Sequence, residues 1–202
     1  MADDIRFLGS VFVTLFVIMD PPGTIPLFLS LTSGRTTALR RRVAWQASST
    51  ALLVIAAFAL FGQQLLDYLG ITLPALQCSG GLLLLLVALE LLTGNDSEPS
   101  VQRDTNVALV PLGTPLLAGP GAIVATMVFV RQVHTWERGV FLALGVVLVH
   151  LVLWLTMRYS VGIIKVIKES GVLLVTRISG LLLSAIAVQM VANAVRAFIS
   201  AG

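Results

Sequence analysis

Apolar runs of about 20 residues recur along this chain from one end to the other, and only short polar segments separate them. A helix of that length rises about 30 Å, which is the thickness of the hydrocarbon core of a bilayer. Of the 202 residues, 57% are hydrophobic and 11% are charged, whereas a soluble domain carries about 25% charged residues. The sequence therefore predicts an all-α, polytopic membrane protein whose main surroundings are the lipid bilayer.

Six transmembrane spans can be marked, and the first and fourth contain helix-breaking residues. The predicted spans cover residues 5–32, 43–66, 71–93, 107–130, 139–157 and 172–199. The first is interrupted at Asp20-Pro21-Pro22-Gly23 and the fourth at Gly119-Pro120-Gly121. Proline removes a helical donor and glycine permits a sharp change of backbone direction. We therefore expect spans 1 and 4 to be discontinuous helices within a single transmembrane domain, 1–202.

Two short motifs that each occur twice indicate that the chain consists of two related halves. Pro-Gly-x-Ile begins at Pro22 and again at Pro120, 98 residues later, and Ser-Gly followed by leucines begins at Ser79 and again at Ser179. Because a three-span unit has an odd number of crossings, its second copy enters the membrane from the opposite side. The prediction is two inverted repeats, 5–93 and 107–199, joined by a polar linker, 94–106. The alternative is an unrelated pair of proline kinks, which membrane helices tolerate.

The net charge of +3 and the basic pI of 9.6 report membrane topology rather than nucleic-acid binding, because the basic residues lie in short segments between apolar runs. Eight lie on one side: Arg35, Arg40, Arg41, Arg42, Arg103, Arg158, Lys165 and Lys168. Four lie on the other side: Arg6, Arg131, Arg138 and Arg196. The positive-inside rule then places both termini outside the cytoplasm.

The interruptions are the candidate site. Asp20 is predicted to lie well inside the bilayer and to cap a half-helix that begins at Pro21, where unpaired amides and the helix dipole favour an anion. A matching start at Gly119 would converge on the same small ligand, and glycines would let it approach the backbone closely. The predicted ligand carries a carboxylate and little side chain. The candidate binding residues are Asp20, Pro21, Pro22, Gly23, Thr24, Thr114, Gly119, Pro120, Gly121 and Ala122, with Thr126 as a further hydroxyl.

Asp20 has a second predicted role, because an intramembrane carboxylate commonly marks a proton, ion or substrate pathway. It would bind a substrate ammonium or a coupling cation, H⁺ or Na⁺. The alternative is that it only caps its helix. The single cysteine excludes a cysteine metal cluster, and no catalytic pairing of side chains is evident. We therefore expect no enzyme activity, no metal and no cofactor.

The two interrupted stretches also resemble a known family. Residues 20–28 and 111–123 closely resemble the two signature stretches of the MarC family of bacterial and archaeal membrane proteins. The resemblance implies a six-span inner-membrane protein. It also implies, by similarity to the SnatA-type branch, transport of small neutral amino acids such as glycine and alanine. The competing hypothesis is a non-transporting membrane scaffold or accessory protein linked to stress or antibiotic resistance; homo-oligomerisation is left open.

Overall fold

The computed structural model describes residues 2–93 and 117–201, and within these ranges all regular secondary structure is helical. The helices are α1 (Ala2–Met19), α2 (Thr24–Leu31), α3 (Thr37–Leu69), α4 (Leu73–Thr93), α5 (Pro120–Val130), α6 (Trp136–Arg158) and α7 (Ser160–Ala201). The predicted all-α class is confirmed for this part of the chain. The predicted linker, 94–106, and the first part of the fourth span lie outside the described residues.

The helix lengths support several crossings of the membrane. Four helices are long and apolar enough to cross: α3, α4, α6 and the part of α7 from Ser170 to Ser200. The pair α1 and α2 makes a fifth candidate, and it bends by 49° at the interruption. The predicted break in the first span is therefore confirmed. The 11-residue α5 begins at Pro120, where the second half of the fourth span was predicted to start.

The basic segments lie in helices where loops were predicted. Helix α3 begins at Thr37, and the hydroxyl of Thr36 accepts a hydrogen bond from the Leu39 amide at 3.3 Å. This cap extends the helix through three arginines that had been placed in a loop. Residues 160–167 are also helical, and Lys168, with φ 63°, separates them from the long apolar part of α7. A short polar segment can stay helical where its backbone groups are capped.

Most of the packing joins the first three spans to the later ones. Helix α4 packs along α7, and α6 packs against α1 and α3. Helix α5 packs against α1, α3 and α4, while α7 also contacts α1 and α2. One core cluster combines α1, α3, α5 and α6, and a second combines α4, α5 and α7 with Val17 of α1.

The contacts of two glycines show the relative direction of α4 and α7. A Cβ on Gly81 would meet Ala187, Met190 and Val191 of α7, and a Cβ on Gly180 would meet Ala88, Leu91 and Leu92 of α4. Each residue in the first contact has its counterpart 99 positions away in the second. Because each early glycine faces the later part of the other helix, α4 and α7 are antiparallel.

The loops group at two ends of the bundle as the topology prediction requires. At one end, called the N-terminal end below, the Arg138 guanidinium lies 5.1 Å from the centre of the Phe7 ring. There Arg131 Nε also donates to Gln63 Oε1 at 2.9 Å. At the opposite end, Arg40 Nε donates to the Thr32 carbonyl at 3.3 Å. Arg131 and Arg138 therefore lie at one end and Arg40 at the other, in agreement with their assignment to opposite sides.

Candidate functional site

The first interruption is a tight turn between α1 and α2. Asp20 has φ 40°, in the left-handed region that Asp tolerates better than most residues. Its carbonyl accepts the Thr24 amide at 3.1 Å. Helix α2 then begins at Thr24 with Gly23 at the N-cap and no side-chain cap. The predicted helix start at Pro21, capped by Asp20, is wrong, because residues 21–23 form a turn that the Asp20 carbonyl closes, and Gly23 takes the N-cap position.

The Asp20 carboxyl is the main polar feature of this turn. The residue is 6% exposed, and neither carboxyl oxygen has a well-formed hydrogen bond with a described residue. Its nearest donors are the Gly23 amide and the Ser179 hydroxyl of α7. Burying a carboxyl without full pairing is costly by several kcal/mol. The arrangement therefore favours a proton, a cation or an ammonium group at Asp20.

Helix α7 supplies two polar residues that the sequence reasoning did not assign to the site. Ser179 is buried beside Asp20, and a Cβ built on Gly23 would lie 3.2 Å from the Thr176 hydroxyl. In the sequence, Ser179 stands out only as part of the repeated Ser-Gly motif. The available signal was that Thr176 and Ser179 are three residues apart and so lie on one face of α7.

The second interruption has the predicted helix start. Gly119 occupies the N-cap with extended backbone, φ −62° and ψ 162°, and Pro120 is the first helical residue. The Gly119 carbonyl accepts the amides of Ala122 at 3.0 Å and Ile123 at 3.2 Å. Gly119 is half-buried, Pro120 is exposed, and Gly121 and Ala122 are buried.

The expected space in front of the two glycines is occupied by protein atoms. A Cβ on Gly23 would overlap Asp20 Oδ2, and a Cβ on Gly121 would overlap the side chain of Leu84 from α4. The inference that these glycines leave room for a ligand beside the backbone is therefore wrong for this conformation. Both residues are instead required for close packing, since any side chain would displace a neighbour.

The threonine hydroxyls bond within their own segments. Thr24 Oγ1 donates to the Pro21 carbonyl at 2.7 Å, and Thr126 Oγ1 donates to the Ala122 carbonyl at 2.8 Å. Their hydrogens are thus used locally, and only their oxygens are left to accept a bond. Thr114 lies outside the described residues.

The two interruptions lie around a common core. Met19, immediately before Asp20, belongs to the same buried cluster as Ala118 and Ala122. The structure therefore associates both breaks with the contact between α1 and α5, and it adds α7 at the first break and α4 at the second. Within residues 2–93 and 117–201, no three His, Cys, Asp or Glu side chains are grouped as metal ligands; that the chain is not an enzyme stays a prediction.

Comparison with known proteins decides the family. The model of the MarC family integral membrane proteins matches residues 5–199. The chain belongs to the MarC family. It is 34% identical over 200 residues to a UPF0056 membrane protein of Methanocaldococcus jannaschii, covering 96% of this chain and 98% of that protein.

Other MarC relatives are similar over almost the same length. A UPF0056 membrane protein of Aquifex aeolicus is 36% identical over 194 residues, with 92% of this chain and 90% of that protein covered. One of Escherichia coli is 29% identical over 195 residues, with the same coverage of 92% and 90%. No solved structure gives a significant match. The resemblance to the MarC family and the membrane assignment are thus confirmed, while the relatives' names state no transported substrate.

Proposed function

We propose that this MarC protein is a secondary transporter of small neutral amino acids of the glycine and alanine type. It works by alternating access and is coupled to H⁺ or Na⁺. The observation that carries the proposal is the buried Asp20 carboxyl, which lies at a helix break, faces the Ser179 hydroxyl of α7 and lacks a well-formed partner among the described residues. Intramembrane carboxylates of this kind commonly belong to ion or substrate pathways.

The proposed architecture is six spans in two inverted three-span repeats. Spans 1, 2 and 3 are α1–α2, α3 and α4, and spans 4, 5 and 6 end in α5, α6 and α7. The Pro-Gly-x-Ile motifs pair α5 with α2, so the contact of α5 with α3 corresponds to that of α2 with α6, and the contact of α5 with α4 corresponds to that of α2 with α7. The contacts of Gly81 and Gly180 support the same correspondence, because each becomes the other when α4 and α7 are interchanged. Inverted repeats of this kind, with interrupted helices near the midplane, are common in secondary transporters.

The ligand chemistry follows from the two helix starts and from the carboxyl. The positive dipole end of α5 favours a carboxylate, while the Ala122 and Ile123 amides already bond the Gly119 carbonyl. Asp20, with Ser179 and Thr176, provides acceptors for an ammonium or a coupling cation. A small zwitterion satisfies both. Since Leu84 and the Asp20 carboxylate fill the space at Gly121 and Gly23, binding requires these side chains to move, which is compatible with alternating access.

We place the protein in the bacterial inner membrane, with both termini on the periplasmic side. The support is the sequence count of basic residues on the two predicted sides, eight against four. The N-terminus, the turn after α3 and the turn after α5 all lie at the other end. The N-terminal end would therefore face the periplasm.

Flux of labelled alanine or glycine into proteoliposomes, under imposed H⁺ or Na⁺ gradients, tests the proposal. Wild-type protein should show gradient-driven flux, and Asp20→Asn should lose it. Glu90→Gln is the control for the loss of a negative charge, because Glu90 is an exposed acid on α4. No wild-type flux under either gradient would favour the scaffold hypothesis. Wild-type flux in Asp20→Asn would instead remove this carboxyl from the site.

A further inference from the structure

A polar chain of three side chains crosses the N-terminal end of the bundle. Arg131, just after α5, donates from Nε to Gln63 Oε1 of α3 at 2.9 Å. Gln63 Nε2 in turn donates to Asp67 Oδ1 at 2.8 Å. Gln63 is bonded on both sides of its carboxamide, so its orientation is defined. The Gln63 carboxamide lies between the Arg131 guanidinium and the Asp67 carboxylate and separates them by one hydrogen-bonded amide group.

The charged ends of this chain keep free binding groups. Within the described residues, Arg131 makes its hydrogen bond through Nε, and no bond or ion pair engages its two terminal nitrogens. Asp67 is bonded through Oδ1, which leaves Oδ2. Guanidinium nitrogens in a planar fork match a carboxylate in two parallel hydrogen bonds. Asp67 Oδ2 is an acceptor suited to an ammonium group.

Two shallow cavities, both open at the surface, lie beside Arg131. One, of about 400 Å³, lies between α3 and α5 and is lined by Phe58, Gln63, Met127 and Arg131 among others. The other, of about 650 Å³, lies at the turn between α3 and α4 and is lined by Asp67, Gln77 and Arg131 among others. Each has room for a small amino acid. Arg131, whose terminal nitrogens are unbound, lines both cavities.

We infer that Arg131, Gln63 and Asp67 form an outer docking site for a zwitterionic amino acid, with the ligand carboxylate on Arg131 and its ammonium on Asp67. Both charged groups of an amino acid are attached to one carbon, which suits the short separation that Gln63 imposes. The inference rests on the proposed function and adds a second, earlier position for the same substrate class.

Helix α5 connects this position to the candidate site. It runs from the interruption at Gly119 to Arg131, a rise of about 16 Å for 11 residues at the helical spacing. The smaller cavity is lined by Met127 and Val130 of the same helix. A ligand at Arg131 therefore lies one short half-helix from the second break, on the side that the charge distribution assigns to the periplasm.

Alanine transport measured from each side of the membrane tests this docking site. Arg131→Gln should raise KM for alanine supplied at the N-terminal side by roughly tenfold or more, because it removes a charge-assisted bond. The KM at the opposite side should not change, and kcat/KM should change equally in the two directions, as microscopic reversibility requires. Arg131→Lys should show a smaller rise, since it keeps the charge but loses the fork. Arg6→Gln is the control: it removes one positive charge from the same end, and Arg6 lines neither cavity.

Three results would overturn the inference while leaving the proposed function intact. The first is an equal effect of Arg131→Gln and Arg6→Gln on KM, which would indicate only a loss of surface charge. The second is an equal rise of KM at both sides. The third is a lowered thermal unfolding midpoint with reduced kcat and unchanged KM, which would make the three residues a structural link between α3 and α5. An inactive wild type would refute the proposed function and this inference with it.

Discussion

The packing of Gly121 against Leu84 allows a quantitative test of how the second break is held. A Cβ at Gly121 would overlap Leu84 Cδ2 and would lie 2.5 Å from Cγ and 3.0 Å from Cδ1. Carbon atoms pack favourably at about 3.5–4.0 Å, so the whole leucine side chain must shift. Gly121→Ala should therefore destabilise the protein by about 1–3 kcal/mol, the usual range for overpacking.

The double variant separates this clash from other effects of the added methyl group. Leu84→Ala alone should cost about 2–5 kcal/mol, because Leu84 is buried and its loss leaves a cavity. In Gly121→Ala/Leu84→Ala the three clashing atoms are absent and the new methyl enters the vacated space. The destabilisation of the double variant should then be smaller than the sum of the two single penalties by about 1–3 kcal/mol. This difference is within the range of coupling between contacting residues.

Equilibrium unfolding of the purified protein, followed by fluorescence of its three tryptophans, measures the four free energies of the cycle. Gly9→Ala with Leu84→Ala is the matched control, since a Cβ at Gly9 would meet nothing within 4 Å, and those two effects should add. Wild-type stability in Gly121→Ala, or simple additivity with Leu84→Ala, would refute the proposed packing of α5 on α4.

Three further expectations concern the first break, the repeat contact and the topology. Gly23→Ala should abolish gradient-driven flux as Asp20→Asn does, because its methyl group would displace the Asp20 carboxylate; retained flux would contradict this placement. Gly81→Ala should lower the thermal unfolding midpoint, because its Cβ would lie 2.9 Å from a backbone oxygen of α7, whereas Gly162→Ala, with nothing within 4 Å, should not; equal midpoints would count against the crossing. In a cysteine-free background, Ser33→Cys should react with an impermeant maleimide only after intact cells are permeabilised. Labelling of intact cells would show that the predicted orientation in the membrane is inverted.

The amino-acid sequence alone determined the surroundings of this protein and the places where its helices break. Long apolar runs leave the bilayer as the favourable environment, and proline with glycine interrupts a helix through local backbone chemistry. Neither property depends on which residues lie nearby in space. The first break appears where the prolines predicted it, and α5 begins at the predicted Pro120.

Tertiary structure decided what fills the space at those breaks. The spacing of Gly23 and Gly121 was compatible with a close approach by a ligand, but the Asp20 carboxylate and Leu84 occupy those positions. The sequence also gave no way to pair Asp20 with Ser179, which is more than 150 residues away along the chain.

The physical reason is the range of the interactions. A proline acts on the turn that contains it, whereas the neighbour of a buried side chain is chosen by how complete helices pack. Even the start of α2, three residues later than predicted, depended on a turn that the Asp20 backbone closes by accepting the Thr24 amide. Helix breaks could thus be located from the sequence, while the groups facing them became known only once α4 and α7 were in place.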